Sequence, residues 1–554
     1  MDKKLKDPIY GYINIPVDYM KKVIDTAVFQ RLRRITQTSY APLYASAVHN
    51  RFVHSIGVFY LGSIVAEVLV DEIVGKGILK KEDAQRYADT YRLACLLHDV
   101  GHAPFSHTGE VFYKTEKFSS AELHKELEEL VDDAGFTKDI PVEESKATAP
   151  HEIMSCIVGI RAFPELLADG EAREFFARCI TGYRYTEVNE QNDIKNCFVD
   201  MLNSKVIDVD RLDYLIRDAY ITGFESVNID YERLLRALTI VCSEEGRYQI
   251  AYRKDALSVI ENVVYAHDCE RKWIQNHPVV LYEGYLLRCI MQKVNDALDT
   301  AEAKLFSKEA LSREGVKLKN GVRVSLLCDD DVMCLYKNYF ADGVGMEFFE
   351  RKNRRHPVWK SEAEYKAYIS QMSSGGKFKE EFLDCLNSFI GGNKKDMQFP
   401  IVINKKLEKK LEEELKESQA KYEMAEGRIA KRSLEQQMIG VEHRLRLCRY
   451  LVKYAEDNGL EDDFIVVKAS MFNSSFSKDA VRKLLIVFNP GEDEVVKPIS
   501  EVCPTLQAEK VEEDFYYLFY RGNANAVIRG KETFCDDLYR AALGMDRSRK
   551  EYKG

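Results

Sequence analysis

The sequence predicts a mostly α protein: a helical bundle with helical insertions, followed by a small C-terminal α+β lobe. Three observations carry that expectation. Apolar residues recur at three- and four-residue intervals through most of the first 300 positions, a charge-dense run begins at Lys405, and short β-branched and aromatic runs replace the helical texture beyond residue 460.

The helical half rests on segments such as "VDYMKKVIDTAVFQRLRRI", "SIGVFYLGSIVAEVLVDEIV", "AQRYADTYRLACLLHD", "HEIMSCIVGIRAF" and "VDRLDYLIRDAY", each with an apolar face at helical spacing. Residues 1–300 are therefore expected to form one helical domain. Residues 301–400 read as a helical extension broken by Gly- and Lys-rich loops, "MSSGGKFK" and "IGGNKKD". Leu407, Leu411 and Leu415 open an apolar stripe in residues 401–460, which reads as one or two long charged helices with a solvated face; the stripe also fits a partner seam. In residues 461–554, "DFIVVKAS", "KLLIVFN" and "FYYLFYR" predict the strands of the small lobe.

Composition narrows the function classes. At 554 residues the chain is long enough for several lobes, and 45% hydrophobic with 31% charged residues is a soluble globular profile. A net charge of −10 excludes bulk electrostatic attraction to nucleic acid, so a polyanion must be held in a local pocket. The N-terminus lacks an apolar leader, and the most apolar runs are broken by acids, so no membrane association is expected and the location expected is cytoplasmic. The 13 scattered cysteines, without a CxxC pair, fit reduced thiols better than structural zinc. The basic loop "RKNRRHPVWK" (351–360) reads as solvated, with a clamp for a nucleotide or nucleic acid as the alternative.

The chemistry concentrates in "YRLACLLHDVGHAPFSH", residues 91–107, where an apolar helix ends in His98-Asp99 and two further histidines follow. Adjacent residues on a helix point about 100° apart, but at a terminus both can converge on an ion just off the end. One imidazole nitrogen and one carboxylate oxygen suit Fe, Mn, Ni or Zn, and two ligands alone make a weak site. His54 in "HNRFVHSIGVFY" and the aspartates of "VIDVDRLDYLIRDAY" each stand at a helix start and offer the missing nitrogen and oxygen. As single residues they read equally as a core histidine and an N-cap aspartate.

Taken in order, these motifs, with "DPIYGYI" (7–13) and "VIDTAVFQRLRRITQ" (23–37), resemble the HD-domain phosphohydrolase superfamily and its deoxynucleoside triphosphate triphosphohydrolase branch. The resemblance runs to about Ile221. It implies an HD-domain helical bundle whose metal ligands are His54, His98, Asp99 and Asp210, with Asp208 supporting. It further implies Mg2+ alongside the substrate phosphates, and hydrolysis at the α-phosphorus to nucleoside and tripolyphosphate. His107, paired with Glu110, would protonate the departing 5′ oxygen, while His102, His151 and Glu152 match further active-site positions. Arg51 and Arg211 are the expected phosphate clamps; Gln37, Tyr214 and Asp218 match sugar-contacting residues. Asp25, Gln30 and Arg33 match a nucleotide activator site, and the same spacing fits an ordinary amphipathic helix. A homo-oligomer, dimer or tetramer, is implied as well. His267, Gln275 and Thr38 depart from the family's arginine, tyrosine and leucine, which leaves deoxy- versus ribonucleotide selectivity open.

Three functions remain in view: a dNTP triphosphohydrolase that depletes nucleotide pools, in metabolism or antiviral defence; another HD phosphohydrolase, such as a nucleotide phosphomonoesterase or cyclic-nucleotide phosphodiesterase; and a non-catalytic nucleotide-binding assembly protein.

Overall fold

The computed structural model describes residues 2–113, 120–141, 148–224, 228–299, 304–340, 342–369, 376–390, 400–469, 478–491, 494–503, 515–522 and 527–545. The "IGGNKKD" break and the start of "MSSGGKFK" lie outside them. The fold is mostly α with small sheets, and the chain divides into two compact units.

Unit 1 comprises Met1–Ile274, Ile290–Tyr339 and Ser474–Val511. It opens with an antiparallel hairpin, β1 (Asp2–Asp7) and β2 (Gly11–Pro16). Asp7 closes the turn by accepting hydrogen bonds from the backbone N–H of Ile9 and Tyr10 at 2.8 and 3.0 Å, and Gly11 takes a φ of 75°. The bundle follows: α1 (Arg51–Gly75), α2 (Lys81–Leu97), the short α3 (His107–Glu110), α4 (Pro150–Ala162), α5 (Gly170–Thr181), α6 (Glu190–Leu202), α7 (Val209–Thr222) and α8 (Leu257–Glu270). By length and composition α1 could cross a membrane, yet 72% of its most apolar window is buried in the protein: it is the central helix of the core. α1 packs against both α2 and α7. Gly57 permits the second contact, because a Cβ there would meet Asp213 Oδ1 at 1.9 Å.

β3 (Leu238–Cys242) and β4 (Tyr248–Arg253) pair antiparallel, and α9 (Asp329–Tyr339) lies further along the chain. The "KLLIVFN" run forms β5 (Leu485–Phe488), which joins β4 in parallel and is followed antiparallel by β6 (Val495–Pro498), giving the order β6-β5-β4-β3. The expected lobe at 461–554 is thus divided: Val487 of β5 is buried against Val241 and Ala251 of unit 1. The expected extension at 301–400 is divided as well, between Tyr339 and Phe340.

Unit 2 comprises Gln275–Cys289, Phe340–Asn473 and Glu512–Gly554. Strand Tyr516–Tyr520 pairs antiparallel with Phe464–Lys468 on one side and His356–Pro357 on the other. Helices Lys405–Met424 and Arg428–Asn458 pack together, turning at Gly427, with Arg444–Glu414 and Arg449–Glu412 ion pairs between them. Their leucine stripe is used internally: Leu411 is buried, and Leu407 and Leu415 pack against the same core as Leu445 and Leu451. The 351–360 run is solvated only in part: Arg351, Lys352, Asn353, His356 and Lys360 are exposed, and the rest is engaged. Arg354 is bonded to Glu283 and Arg355 to Asp463, and Trp359 is fully buried with Nε1 donating to Tyr516 O at 2.8 Å.

Candidate metal centre and histidine cluster

Three helix ends build the metal site. Asn50 caps α1 by accepting from Val53 N, placing Arg51 and His54 in the buried first turn. α2 ends at Leu97, so His98 and Asp99 project from its C-terminus. Gly101 lets the following turn lie on α4, since a Cβ there would stand 2.3 Å from Ser155 N. Asp208 caps α7, accepting from Arg211 N at 2.9 Å and Ser204 N at 3.1 Å, and Asp210 occupies the first turn. Burial pushes the Asp208 carboxyl up to about 6 against the Arg211 charge.

Three of the four expected ligands, His54, His98 and Asp99, present donor atoms within 4.8 Å of one another, and Asp210 stands against the two histidines. His54 Nε2 lies 2.9 Å from Asp210 Oδ1, 3.3 Å from His98 Nε2 and 3.5 Å from Asp99 Oδ2; His98 Nε2 lies 3.5 Å from both Asp210 Oδ1 and Asp99 Oδ1. Donors about 2.1 Å from one ion and at right angles stand about 3 Å apart, so these spacings fit a shared divalent cation.

The other nitrogen of each imidazole decides its tautomer. His98 Nδ1 is 2.9 Å from the Cys95 carbonyl oxygen, which can only accept, so Nδ1 carries the hydrogen and Nε2 presents its lone pair. His54 Nδ1 stands 2.7 Å from Asp213 Oδ2 with the same result. Asp213 is itself held by Tyr10 Oη at 2.8 Å and by a two-pronged contact from Arg217, whose Nη1 reaches Asp7 Oδ2 at 3.0 Å. Burial raises the Asp213 pKa, but Arg217 and His54 outweigh it and hold the carboxyl at about 2. Burial opposes a charged His54, yet Asp210 and Asp213 bring its pKa to about 10; a cation held there would replace that proton. Sequence reasoning missed Asp213, Arg217, Tyr10 and Asp7. Two signals pointed to them: the Asp-Arg pair at i,i+4 within "DRLDYLIRD", and the otherwise unassigned "DPIYGYI" motif.

A second group lies beside the first. His102, His107 and His151 present ring nitrogens within 4.8 Å of one another, spacing that also admits an ion. His102 stacks on His151 at 4.1 Å, with His107 edge-on to both. Glu110 Oε2 joins His107 Nδ1 at 3.0 Å to His151 Nδ1 at 2.9 Å. Burial disfavours a charged His151, but Glu110 brings its pKa up to about 9. Burial, the Arg51 charge and His151 push His102 well below its ordinary value, while burial lowers His107 against the pull of Glu110. His102 Nε2 stands 3.2 Å from Asp99 Oδ1, and Arg51 Nη1 donates to Asp99 Oδ2 at 2.7 Å, linking the groups.

Other expected residues take mixed places. The Glu152 carboxylate is bonded elsewhere than to the histidines: Oε2 accepts from Ala149 N at the start of α4 and Oε1 from Asn203 Nδ2, and burial raises its pKa to about 7 against the His151 charge. Arg51 is engaged by Asp99 and Ser106, and Arg211 donates to the Ser204 and Val206 carbonyls, so both guanidiniums are committed to protein partners. Gln37 N donates to His49 O at 3.0 Å, and His49 Nε2 faces Asp218 Oδ1 at 2.8 Å; Tyr214 lies one turn before Asp218 on α7. Gln30 Nε2 donates to Ile24 O, and its Oε1 accepts from Arg33 Nε. The Arg33 guanidinium lies 3.5 Å over the Phe52 ring, and Asp25 stands 3.8 Å from Lys3 Nζ.

Residues 51–142 match the family model described as HD domain. The chain is 28% identical over 300 residues to the uncharacterized protein YwfO of Bacillus subtilis, covering 54% of this chain and 57% of that protein. It is 30% identical over 278 residues to the deoxynucleoside triphosphate triphosphohydrolase SAMHD1 of Danio rerio, 50% of this chain and 42% of that one. The chain spans about half the length of the curated relatives it matches. A crystal structure of a hypothetical protein from Aquifex aeolicus shares the fold, with a TM-score of 0.51, 19% identity, and 98% of this chain and all of that one covered.

Proposed function

We propose that this chain, which carries an HD domain at 51–142, is a metal-dependent phosphohydrolase that converts a nucleoside triphosphate to nucleoside and tripolyphosphate. The observation that carries the reading is the gathering of His54, His98 and Asp99 with donor atoms within 4.8 Å of one another and Asp210 Oδ1 2.9 Å from His54 Nε2, each imidazole with its other nitrogen fixed by the protein. His54, His98, Asp99 and Asp210 would hold one ion of Fe, Mn, Ni or Zn, and an open N2O2 site supplies water activation and neutralises phosphoryl charge. Mg2+ would accompany the phosphate tail.

The protein's own groups supply the proton. Glu110 bridges His107 to His151, and the proton His151 retains up to about pH 9 lies one carboxylate away from His107. His107, half-exposed, is the group placed to deliver a proton to the leaving 5′ oxygen; buried His102 stays neutral as an acceptor or donor beside Asp99. Gln37, Tyr214 and Asp218 would contact the sugar, and Arg51 would act on substrate through Asp99. The relatives named deoxynucleoside triphosphate triphosphohydrolase support a dNTP substrate. Nucleotide activation through Asp25, Gln30 and Arg33, a homo-oligomer, and a cytoplasmic role in pool depletion or antiviral defence belong to the same proposal.

The test is a panel of dNTPs and NTPs given to metal-loaded protein, with and without GTP, resolving tripolyphosphate from pyrophosphate and phosphate. Tripolyphosphate is expected; orthophosphate alone would reject the reading. A phosphomonoesterase or phosphodiesterase is the second reading, motivated by Gln275 standing where the family carries a tyrosine; Thr38, whose buried hydroxyl has no hydrogen-bond partner among the described residues, bears on the sugar accepted. A ribonucleotide or other hydroxyl-rich ester would satisfy that group.

A further inference from the structure

The turn presenting His107 adopts a backbone that few side chains tolerate. Phe105 has φ 57°, and Ser106 has φ 54° with ψ −131°. Non-glycine residues enter this region only when their surroundings impose it.

A buried carboxylate from a distant part of unit 1 does so. Asp329, the first residue of α9 and 7% exposed, accepts from Phe105 N at 2.7 Å through Oδ1 and from Thr36 N at 2.8 Å through Oδ2. Ser106 Oγ completes the link, donating to Thr36 O at 2.5 Å and accepting from Arg51 Nε at 2.8 Å. Arg31 runs parallel, donating to Leu327 O, Val100 O and His102 O at 2.8–2.9 Å. Thr36 also bridges to Asn50, the cap of α1. Burial lifts the Asp329 carboxyl to about 6 against the two amides, so it is an ionised acceptor at neutral pH.

We propose that Asp329 is a positioning residue whose carboxylate fixes the Phe105–Ser106 turn to the 36–37 segment and so aims His107 at the departing oxygen. The proposal rests on the reading of His107 as the acid.

Asp329→Asn preserves size but turns an amide NH2 toward one of the two N–H donors. With metal-loaded full-length protein, kcat for tripolyphosphate release is expected to fall about tenfold or more, while KM and bound metal stay unchanged. Hydrogen exchange should speed up in peptides covering 34–37 and 102–107. Adding Phe105→Asn should recover part of the lost kcat, because Asn enters positive φ more readily than Phe. Asp329→Glu, which keeps the charge, stands in if the Asn variant does not fold and should loosen the same peptides. Unchanged exchange there, faster exchange with unchanged kcat, or metal loss in proportion to activity would each overturn the proposal. If the unsubstituted protein releases no tripolyphosphate, the functional reading falls by itself, and the exchange comparison still decides whether Asp329 holds the turn.

Discussion

The two histidine groups are near neighbours built from the same residue type, yet they differ in where charge is favoured: carboxylates outweigh burial and raise both His54 and His98 in the first, whereas in the second only His151 is raised and burial lowers His102 and His107. In the first, His54 and His98 each commit Nδ1 to an acceptor, Asp213 or the Cys95 carbonyl, and their Nε2 atoms face each other at 3.3 Å. In the second, His107 and His151 turn Nδ1 toward one shared carboxylate, Glu110, while His102 is wedged neutral between charges. On the proposed reading, the first arrangement would serve as a ligand set and the second as a proton carrier.

Breaking the first group has the largest expected effect. Asp99→Ala should remove both bound metal and turnover, measured by metal analysis after reconstitution and by product release; an unchanged rate would refute the centre. Next comes Asp213→Asn, which offers His54 Nδ1 either a weaker acceptor or a competing donor. Metal affinity should drop by roughly 10- to 100-fold, read by competition with a chelator, with the titration of His151 left as it is.

Glu110→Gln acts on the second group alone. It should lower the His151 pKa from about 9 toward or below the ordinary histidine value, followed by NMR of the labelled ring, with metal content retained. The sign for stability follows from linkage. A histidine whose folded pKa is raised contributes stability that is fully present below its unfolded value near 6.5 and disappears as pH rises through about 9. That part of the pH dependence of unfolding should flatten in the variant. The smallest effect is expected from Asn50→Ala, which removes the cap of α1 at a cost of about 1 kcal/mol in denaturant unfolding while the ligand set stays in place.

Much of this site is legible in the sequence because its pieces are local. A helix that stops in His98-Asp99 and helices that start at Arg51 and Val209 announce themselves by periodicity and capping residues. The roles of Arg51, Arg211 and Glu152 were less legible, since an expected clamp or acid looks identical in sequence to a residue bonded to a neighbouring backbone. The strands were readable as strands but not by partner: "KLLIVFN" and "FYYLFYR" have the same texture, and one pairs with Ala251–Arg253 while the other pairs with Phe464–Lys468. The basic run at 351–360 misled for a similar reason, because its neutralising carboxylates, Glu283 and Asp463, are about 70 and 110 residues away.

The sequence by itself determined the helical class, the inventory of donor atoms and the helix ends on which they stand, all set by interactions within a few residues of chain. Only the tertiary structure decided which acceptor each imidazole nitrogen meets, which carboxylates face the His54–His98 pair and which stand behind it, and which distant aspartate bonds to the strained turn. Tautomer and charge depend on atoms within about 3 Å in space, and in a folded chain those atoms come from partners such as Asp213 for His54 and Asp329 for Phe105, separated by 159 and 224 residues.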